Sequence, residues 1–192
     1  MSAENPGEIT QLLEKARNGD KQAENRLAEL IMPELKKLAS FILSREYRGN
    51  TMETGDLVNA IYLKLRPDVK TFNDSAHFKA YAARAMHNYL IDRARRVIHR
   101  EKHLGERAAF EEAERFTKDA DGDESVERAT QLVALAKALQ ELRESDERAA
   151  QIVVLRMGGL TNEEIAVALG LGERTVIRDW RSARALIVSR LS

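Results

Sequence analysis

Apolar residues recur at helical spacing along most of the chain, and no segment alternates apolar and polar residues as a half-buried strand does. The first such stretch predicts a short helix over residues 8–18 that ends at Asn18-Gly19. Asp20 is a good N-cap for a second helix, because its carboxylate can accept hydrogen bonds from the free amides at a helix start. Pro33 is expected to interrupt or kink this second helix. The pattern therefore predicts an all-α protein.

Two further helices are predicted before residue 105. Thr54 is expected to cap the first of them, and Ser75 is expected to cap the second, which is long and ends in a strongly basic stretch. Residues 66–74 between them are predicted to form a polar loop with one exposed-looking aromatic side chain, Phe72. The apolar stripe of the long helix favours core packing for its two tyrosines over base stacking, and it consists of Phe78, Tyr81, Ala82, Ala85 and Tyr89.

The charge is unevenly distributed, although the formal net charge is +0. Residues 1–104 hold 18 basic and 14 acidic side chains. Residues 105–128 hold 4 basic and 9 acidic side chains, and residues 129–192 hold 9 basic and 8 acidic ones. We therefore expect two small helical domains, over 1–104 and 129–192, joined by an acidic linker that is extended or partly helical. A solvated surface helix over residues 106–116 is the alternative for part of that linker.

Residues 155–184 carry the most informative pattern in the chain. Thr161 and Glu164 are spaced as a capping box, Gly170 can end the helix that follows, and Gly172 can cap the next one. The apolar stripe of that next helix consists of Val176, Trp180, Ala183 and Ile187. A short helix, a tight turn and a second helix with a basic outer face are typical of the helix-turn-helix that reads the major groove. Two ordinary core helices with solvated arginines are the alternative.

The outward face of this last helix supplies the candidate contacts to the duplex, which are Arg174, Thr175, Ile177, Arg178, Arg181, Ser182 and Arg184. Arg174 and Thr175 lie in the first turn, where backbone amides and the helix dipole favour phosphate. Arg178 and Arg181 have the geometry for bidentate contacts to guanine, and Ile177 can touch a thymine methyl group.

Composition excludes several classes of function. The chain has no cysteine, so disulfides and thiolate zinc sites are ruled out within it. No apolar stretch approaches the ~18 residues of a membrane helix, and the N-terminus lacks the pattern of a secretory signal. We therefore expect a cytoplasmic protein without membrane insertion. His99 and His103 are spaced to share a helix face, but no HExxH, GxSxG or phosphate-binding glycine motif accompanies them. The sequence thus predicts no enzyme, no cofactor and no metal site.

Four segments, taken in order, resemble the extracytoplasmic-function (ECF) sigma factors, the promoter-recognition subunits of bacterial RNA polymerase. Residues 12–39 resemble the opening helices of the N-terminal sigma domain, and residues 56–65 resemble the helix that docks on the polymerase clamp. Residues 77–96 resemble the helix that opens and reads the minus-ten element. Residues 160–187 resemble the module that reads the minus-thirty-five element. The resemblance implies that core RNA polymerase and promoter DNA are the partners.

The chemistry of residues 72–96 agrees with that resemblance. Opening a duplex costs unstacking energy, which is offset by planar groups that stack on bases and by a basic track for the backbone. The resemblance implies that a flipped-out base sits near Phe72 and Asn73. Asp92 is expected to orient neighbouring arginines. The candidate minus-ten contacts are Phe72, Asn73, His87, Asn88, Arg93, Arg95 and Arg96.

The resemblance also identifies a polymerase-docking set, which is Asp56, Asn59, Ala60 and Leu63. Relatives usually carry a carboxylate beside Asn59 or Ala60, whereas this chain keeps only Asp56. The AARAM and RTVIRDWRSAR runs resemble a subgroup that is often encoded beside serine/threonine kinases, so a kinase or an anti-sigma factor is a further expected partner. Thr51 and Thr54 are candidate phosphorylation sites, with plain helix capping as the alternative.

The sequence therefore predicts a sigma factor that binds core polymerase, recognises two promoter elements and opens DNA. A stand-alone dimeric helix-turn-helix regulator is the alternative, and it would need a dimer surface or a ligand pocket within residues 8–100. A helical adaptor is a third class, and it would not need the arginines of residues 174–184.

Overall fold

The computed structural model describes residues 6–46, 52–65, 72–107 and 122–191, and within these ranges it contains eight α-helices and no strand. This confirms the predicted all-α class. No helix in the described part of the chain combines the length and the apolarity needed to cross a bilayer. The helices are α1 (Pro6–Arg17), α2 (Lys21–Glu46), α3 (Thr54–Leu65), α4 (Ser75–Arg107), α5 (Gly122–Ser145), α6 (Glu147–Met157), α7 (Asn162–Leu169) and α8 (Glu173–Leu191).

Carboxylates cap two helices, and one of these caps is the predicted one at Asp20. Asp20 Oδ1 accepts the amides of Gln22 and Ala23 at 2.9 and 3.1 Å, at the start of α2. Asp146 Oδ1 accepts the amide of Ala149 at 2.9 Å, at the start of α6. In both places a short carboxylate side chain satisfies amides that have no carbonyl partner within the helix.

The caps of α3 and α4 each lie one residue before the predicted position. Asp74, not Ser75, caps α4, since its Oδ1 accepts the amide of His77 at 2.8 Å. A carboxylate at this position gains from the positive end of the helix dipole, which a serine hydroxyl does not. Thr54 is already helical, because the carbonyl of Glu53 accepts the amide of Leu57 at 3.3 Å.

The predicted interruption at Pro33 does not occur, because α2 runs through this residue as one helix. A proline inside a helix removes one backbone hydrogen bond and costs about 3 kcal/mol. Residues on both sides of Pro33 are buried in the same core, including Ile31 and Leu35, which have no exposed surface. Packing on both sides of the proline therefore offsets its local cost.

The helices form two modules, the N-terminal module α1–α4 and the C-terminal module α5–α8, that are packed against each other. α4 lies along α5 and also contacts α6 and α7. The main buried cluster joins Phe78 and Ala82 of α4 to Leu160 and Ile165 of the C-terminal module. A second cluster lies within the C-terminal module, around Val153 and Ala183.

Helical structure extends into the segment predicted to be an acidic linker. α4 continues to Arg107, and α5 already begins at Gly122, so both ends of residues 105–128 are helical. Residues 108–121, which hold most of that segment, lie outside the described residues.

Candidate nucleic-acid interface

The turn between α7 and α8 has the predicted geometry. The amide of Thr161 donates to Glu164 Oε2 at 2.8 Å, and the amide of Glu164 donates to Thr161 Oγ1 at 3.1 Å, which completes a capping box. Gly170 has φ 64° and ψ 35°, the left-handed conformation that ends a helix at little cost only in glycine. The amide of Leu171 then returns to the carbonyl of Ala166 at 2.9 Å. This turn fixes the direction in which α8 leaves α7.

One side of α8 is anchored in the protein. Val176, Ala183 and Ile187 are buried, as the predicted stripe requires. Trp180 is half-buried, and the guanidinium of Arg156 in α6 lies 5.6 Å from its ring centroid. The tryptophan therefore contributes to packing, as expected, and the rest of α8 is left for solvent or a partner.

The opposite side of α8 is a row of exposed arginines. Thr175 and Ile177 are partly exposed beside them. The exposed candidates are Arg174, Arg178, Arg181, Ser182 and Arg184. A convex helix with cations along its outer face attracts phosphate and can enter a major groove.

A buried carboxylate supports this row, and the sequence analysis did not identify it. Asp179 is only 8% exposed, and its Oδ1 accepts a hydrogen bond from Arg178 Nε at 3.0 Å. Its Oδ2 lies 2.9 Å from Nη2 of Arg148 in α6. Arg178 is thus held at its base while its side chain stays 69% exposed. The sequence offered one indication of this role, because Asp179 is the single acidic residue among five arginines between residues 174 and 190.

The second half of α4 also carries exposed candidates. Asn88, Arg95 and Arg96 are exposed, and Arg93 is partly exposed. Asp92 Oδ1 lies 3.4 Å from Arg95 Nη1, and its carbonyl accepts a hydrogen bond from Arg96 Nε at 3.2 Å. These are the contacts expected of a residue that orients its arginine neighbours.

Phe72 is buried, so the expectation of an exposed aromatic side chain in a polar loop is wrong. Only 6% of it is accessible, and its ring lies edge-to-face with Phe78 and Tyr81 at centroid distances of 5.7 and 5.2 Å. Arg17 Nη2 also donates to the Phe72 carbonyl at 2.8 Å. Tyr81, predicted to be core, is instead 39% exposed despite its contact with Phe72. Asn73 is exposed, as its predicted role requires.

His87 is buried as well, so it cannot contact DNA in this conformation. It is 4% exposed, and burial lowers its pKa from 6.5 to about 4. The residue lines a cleft of about 830 Å³ between α4 and the α5–α6 pair. Facing groups in this cleft carry both signs of charge, and they are Arg84, Asp92, Arg95, Lys137, Arg143 and Glu147. Among the described residues no three acidic or histidine side chains are close enough to hold a metal ion.

The candidate residues for docking on the polymerase lie on the outer side of α3. Asp56, Asn59 and Leu63 are exposed, Leu63 to 70%, and Ala60 is partly exposed. The opposite side of the helix is buried through Leu57, Val58, Ile61 and Leu65. Thr54 lies in the first turn and is partly exposed, whereas Thr51 lies outside the described residues.

The fold and this interface define a helix-turn-helix DNA-binding protein. A family model described as ECF sigma factor matches residues 6–192, whereas no curated protein matches the chain. Because the match covers nearly all of the sequence, the chain belongs to the ECF sigma factor family. It is therefore a sigma factor that directs transcription initiation with RNA polymerase and promoter DNA as its partners, and catalysis resides in the polymerase. Family membership disfavours the stand-alone regulator and the adaptor.

Proposed function

We propose that this sigma factor divides promoter recognition between two modules. α8 reads the upstream element, the second half of α4 reads the minus-ten element, and α3 docks on the polymerase clamp. The observation that carries the proposal is the exposed arginine row of α8, which a capping box, a left-handed glycine and a buried carboxylate hold in one orientation.

Upstream recognition rests on the chemistry of α8. Arg178 and Arg181 lie one turn apart on the exposed side, where two guanidinium groups can reach successive base edges. Arg174 and Arg184 flank them and are suited to phosphate contacts, which position a helix without reading sequence.

Minus-ten recognition rests on the exposed polar groups of α4. Asn88 lies about two turns before Arg95 and Arg96, so an amide that can read a base precedes cations that can follow a backbone. Asn73 lies at the start of the same helix. Phe72 supports that start from within the core.

Clamp docking rests on the exposed side of α3. Leu63 offers an apolar contact, and Asp56 offers a negative charge to a basic surface. Large exposed apolar residues rimmed by polar ones are suited to protein contacts.

We also propose that the chain belongs to the kinase-associated subgroup. Asn59 is exposed and uncharged, and Ala60 is partly exposed, so the middle of the docking surface lacks a carboxylate. A phosphate on Thr54 would add a charge of about −1.5 to −2 at a helix N-terminus, where it is favourable.

Transcription in vitro with purified core polymerase on genomic fragments tests the main proposal. Wild type should start transcription at a limited set of promoters, and gel shifts at matched salt should show promoter-specific complexes only when core is present. Tight, specific duplex binding by the isolated protein as a dimer would contradict the proposal and support a stand-alone regulator.

A further inference from the structure

Asn73 is exposed within a short bend of otherwise covered residues that leads into α4. This segment, residues 72–75, is called the entry bend below. Phe72 and Ser75 at its two ends are only 6% and 5% exposed, and Asp74 is partly exposed. The bend therefore presents one polar side chain to solvent between two buried residues.

Helix α1 holds the entry bend on the side before Asn73. Arg17 Nη2 donates a 2.8 Å hydrogen bond to the carbonyl oxygen of Phe72, across 55 positions of sequence. This oxygen belongs to the planar peptide unit that joins Phe72 to Asn73, so the hydrogen bond restricts rotation of the backbone that enters Asn73. Because the donor is a charged guanidinium, the hydrogen bond is stronger than one between neutral groups.

Helix α1 also holds the entry bend on the side after Asn73. Thr10 Oγ1 accepts a hydrogen bond from the amide of Ser75 at 3.3 Å. Ser75 is the first residue of α4, so its amide has no carbonyl partner within the helix and needs an acceptor from elsewhere. Thr10 and Arg17 lie about two turns apart in α1 and therefore share one face of it. A single helix face thus supplies both contacts.

The remaining contacts fix the entry bend to α4. The ring of Phe72 lies edge-to-face with Phe78 and Tyr81, at centroid distances of 5.7 and 5.2 Å. Asp74 caps the same helix through its side chain. The backbone on both sides of Asn73 is therefore held in place in the free protein.

An asparagine held in this way is well suited to reading a base. Its amide offers one donor group and one acceptor, which match N7 and N6 of adenine. A side chain on a fixed backbone loses less conformational entropy when it binds, so more of the contact energy is available for discrimination between bases. A loosened bend would lose this advantage although every group that faces DNA remained.

We infer that Arg17 and Thr10 are positioning residues for minus-ten recognition, because they hold the entry bend and thereby fix the side chain of Asn73. Neither residue needs to contact DNA in this role. The inference rests on the proposed contact between Asn73 and the minus-ten element. It gives α1, which carries none of the candidate DNA contacts, a part in promoter recognition.

Two other roles of Arg17 lead to different results. If its hydrogen bond serves only to pack α1, its loss lowers the free energy of unfolding and reduces transcription from all promoters alike. If its exposed guanidinium contacts a DNA phosphate, its loss weakens binding uniformly, since phosphate contacts do not specify sequence. Only the positioning role makes the effect of Arg17 depend on Asn73.

A double-substitution cycle tests this dependence, with core polymerase and a promoter library randomised in the minus-ten element. Asn73→Ala should lower discrimination at one position of the element by about tenfold, as expected for the loss of a base contact. Arg17→Met, which has no donor, should lower discrimination at the same position by about threefold. In the Asn73→Ala background, Arg17→Met should have no further effect on discrimination.

Conservative and control substitutions separate positioning from general packing. Arg17→Lys keeps a cationic donor and should restore part of the discrimination. Thr10→Val loses the acceptor and should shift preference at the same position, whereas Thr10→Ser keeps the hydroxyl and should not. The Thr10 pair is the second route if Arg17→Met does not fold. Arg26→Met is the matched control, because Arg26 contacts Glu8 of α1 at 3.4 Å and Glu29 at 3.0 Å, and it should leave minus-ten preference unchanged.

The possible failures of the inference and of the proposed function can be distinguished. Additive effects of Arg17→Met and Asn73→Ala would overturn the inference, as would a uniform loss across all minus-ten sequences for Arg17→Met. Either result would leave the proposed contact of Asn73 intact. Unchanged minus-ten preference in Asn73→Ala would instead refute that contact, and the inference with it.

Discussion

Arg178 donates a hydrogen bond from Nε to Oδ1 of its neighbour Asp179 at 3.0 Å, although one side chain is largely exposed and the other is buried. Adjacent residues on a helix point about 100° apart, so this contact links the outer face of α8 to its inner face. Arg148 approaches the second oxygen of Asp179 from α6. The arginine row of α8 is thereby attached to the body of the C-terminal module.

Asp179→Asn should weaken upstream recognition without removing any group that faces DNA. The variant keeps the shape of the side chain but loses the negative charge beside two arginines, whose exposure limits each ion pair to about 1 kcal/mol or less. We expect a lower free energy of unfolding and a broader set of accepted upstream sequences, measured by denaturant unfolding and by transcription from a promoter library. Unchanged sequence preference would show that Arg178 needs no orientation by Asp179. Arg190→Ala, at the far end of α8, is the control.

Arg178→Ala and Arg181→Ala should each relax upstream sequence preference, at a cost of about 1–3 kcal/mol for a bidentate base contact. Arg95→Ala and Arg96→Ala should weaken binding or opening with little change in upstream preference, because phosphate contacts position the protein without specifying sequence. Transcription of promoter libraries by each variant measures both effects. A uniform loss across all upstream sequences for the two α8 variants would refute base reading by these residues.

Local signals were sufficient to predict the helix-turn-helix and most helix ends. The capping box of Thr161 and Glu164 and the left-handed Gly170 depend on residues within a few positions of each other, so the sequence pattern shows them directly. Asp74 was not identified as the N-cap of α4 because Ser75, one position later, is an equally common N-cap residue.

Burial that depends on distant partners could not be predicted in this way. The carbonyl of Phe72 is held by Arg17, 55 positions earlier, and Lys79 meets Glu164 across 85 positions. Periodicity along α4 shows one buried stripe, but it does not show that α5 and α6 cover a second side. For this reason the sequence pattern assigns His87 to a DNA-facing surface, whereas the structure buries it against α5 and α6.

His87 should make stability depend on pH in the mildly acidic range. Burial lowers its pKa from 6.5 to about 4, so between these values the unfolded chain takes up a proton that the folded protein does not. The neutral imidazole therefore contributes fully to the free energy of unfolding well above pH 6.5, and this contribution falls by about 2 kcal/mol at about pH 5. Denaturant unfolding at each pH measures this loss.

His87→Gln should flatten that dependence, since most carboxylates titrate below this range. His99→Gln, at an exposed position of the same helix, should keep it. If both variants retain the wild-type slope, a group other than His87 causes it.

Gly170→Ala should destabilise the protein by about 1–2 kcal/mol, because a Cβ is strained in the left-handed conformation even though no atom lies within 4 Å of the new carbon. Gly170→Asn should cost less, since asparagine tolerates this conformation. Gly55→Ala also meets no neighbour, but Gly55 is helical, and this control should not be destabilising. The stabilities of the three variants are compared by their urea unfolding midpoints. An equal loss of stability for Gly170→Ala and Gly170→Asn would argue against backbone strain.

The final prediction concerns activation through the docking helix. Ala60→Glu places a carboxylate on the outer side of α3, where the polymerase surface is expected to be basic, and it should raise affinity for core about tenfold. Treatment with a cognate serine/threonine kinase should have a similar effect in wild type and none in Thr54→Ala, if Thr54 is the modified residue. Gln11→Glu adds the same charge to an exposed position of α1 and should change nothing. Binding titrations with purified core measure all four proteins. Nanomolar binding by unmodified wild type, together with no gain for Ala60→Glu, would show that the missing carboxylate is irrelevant and that α3 is not a phosphorylation-controlled switch.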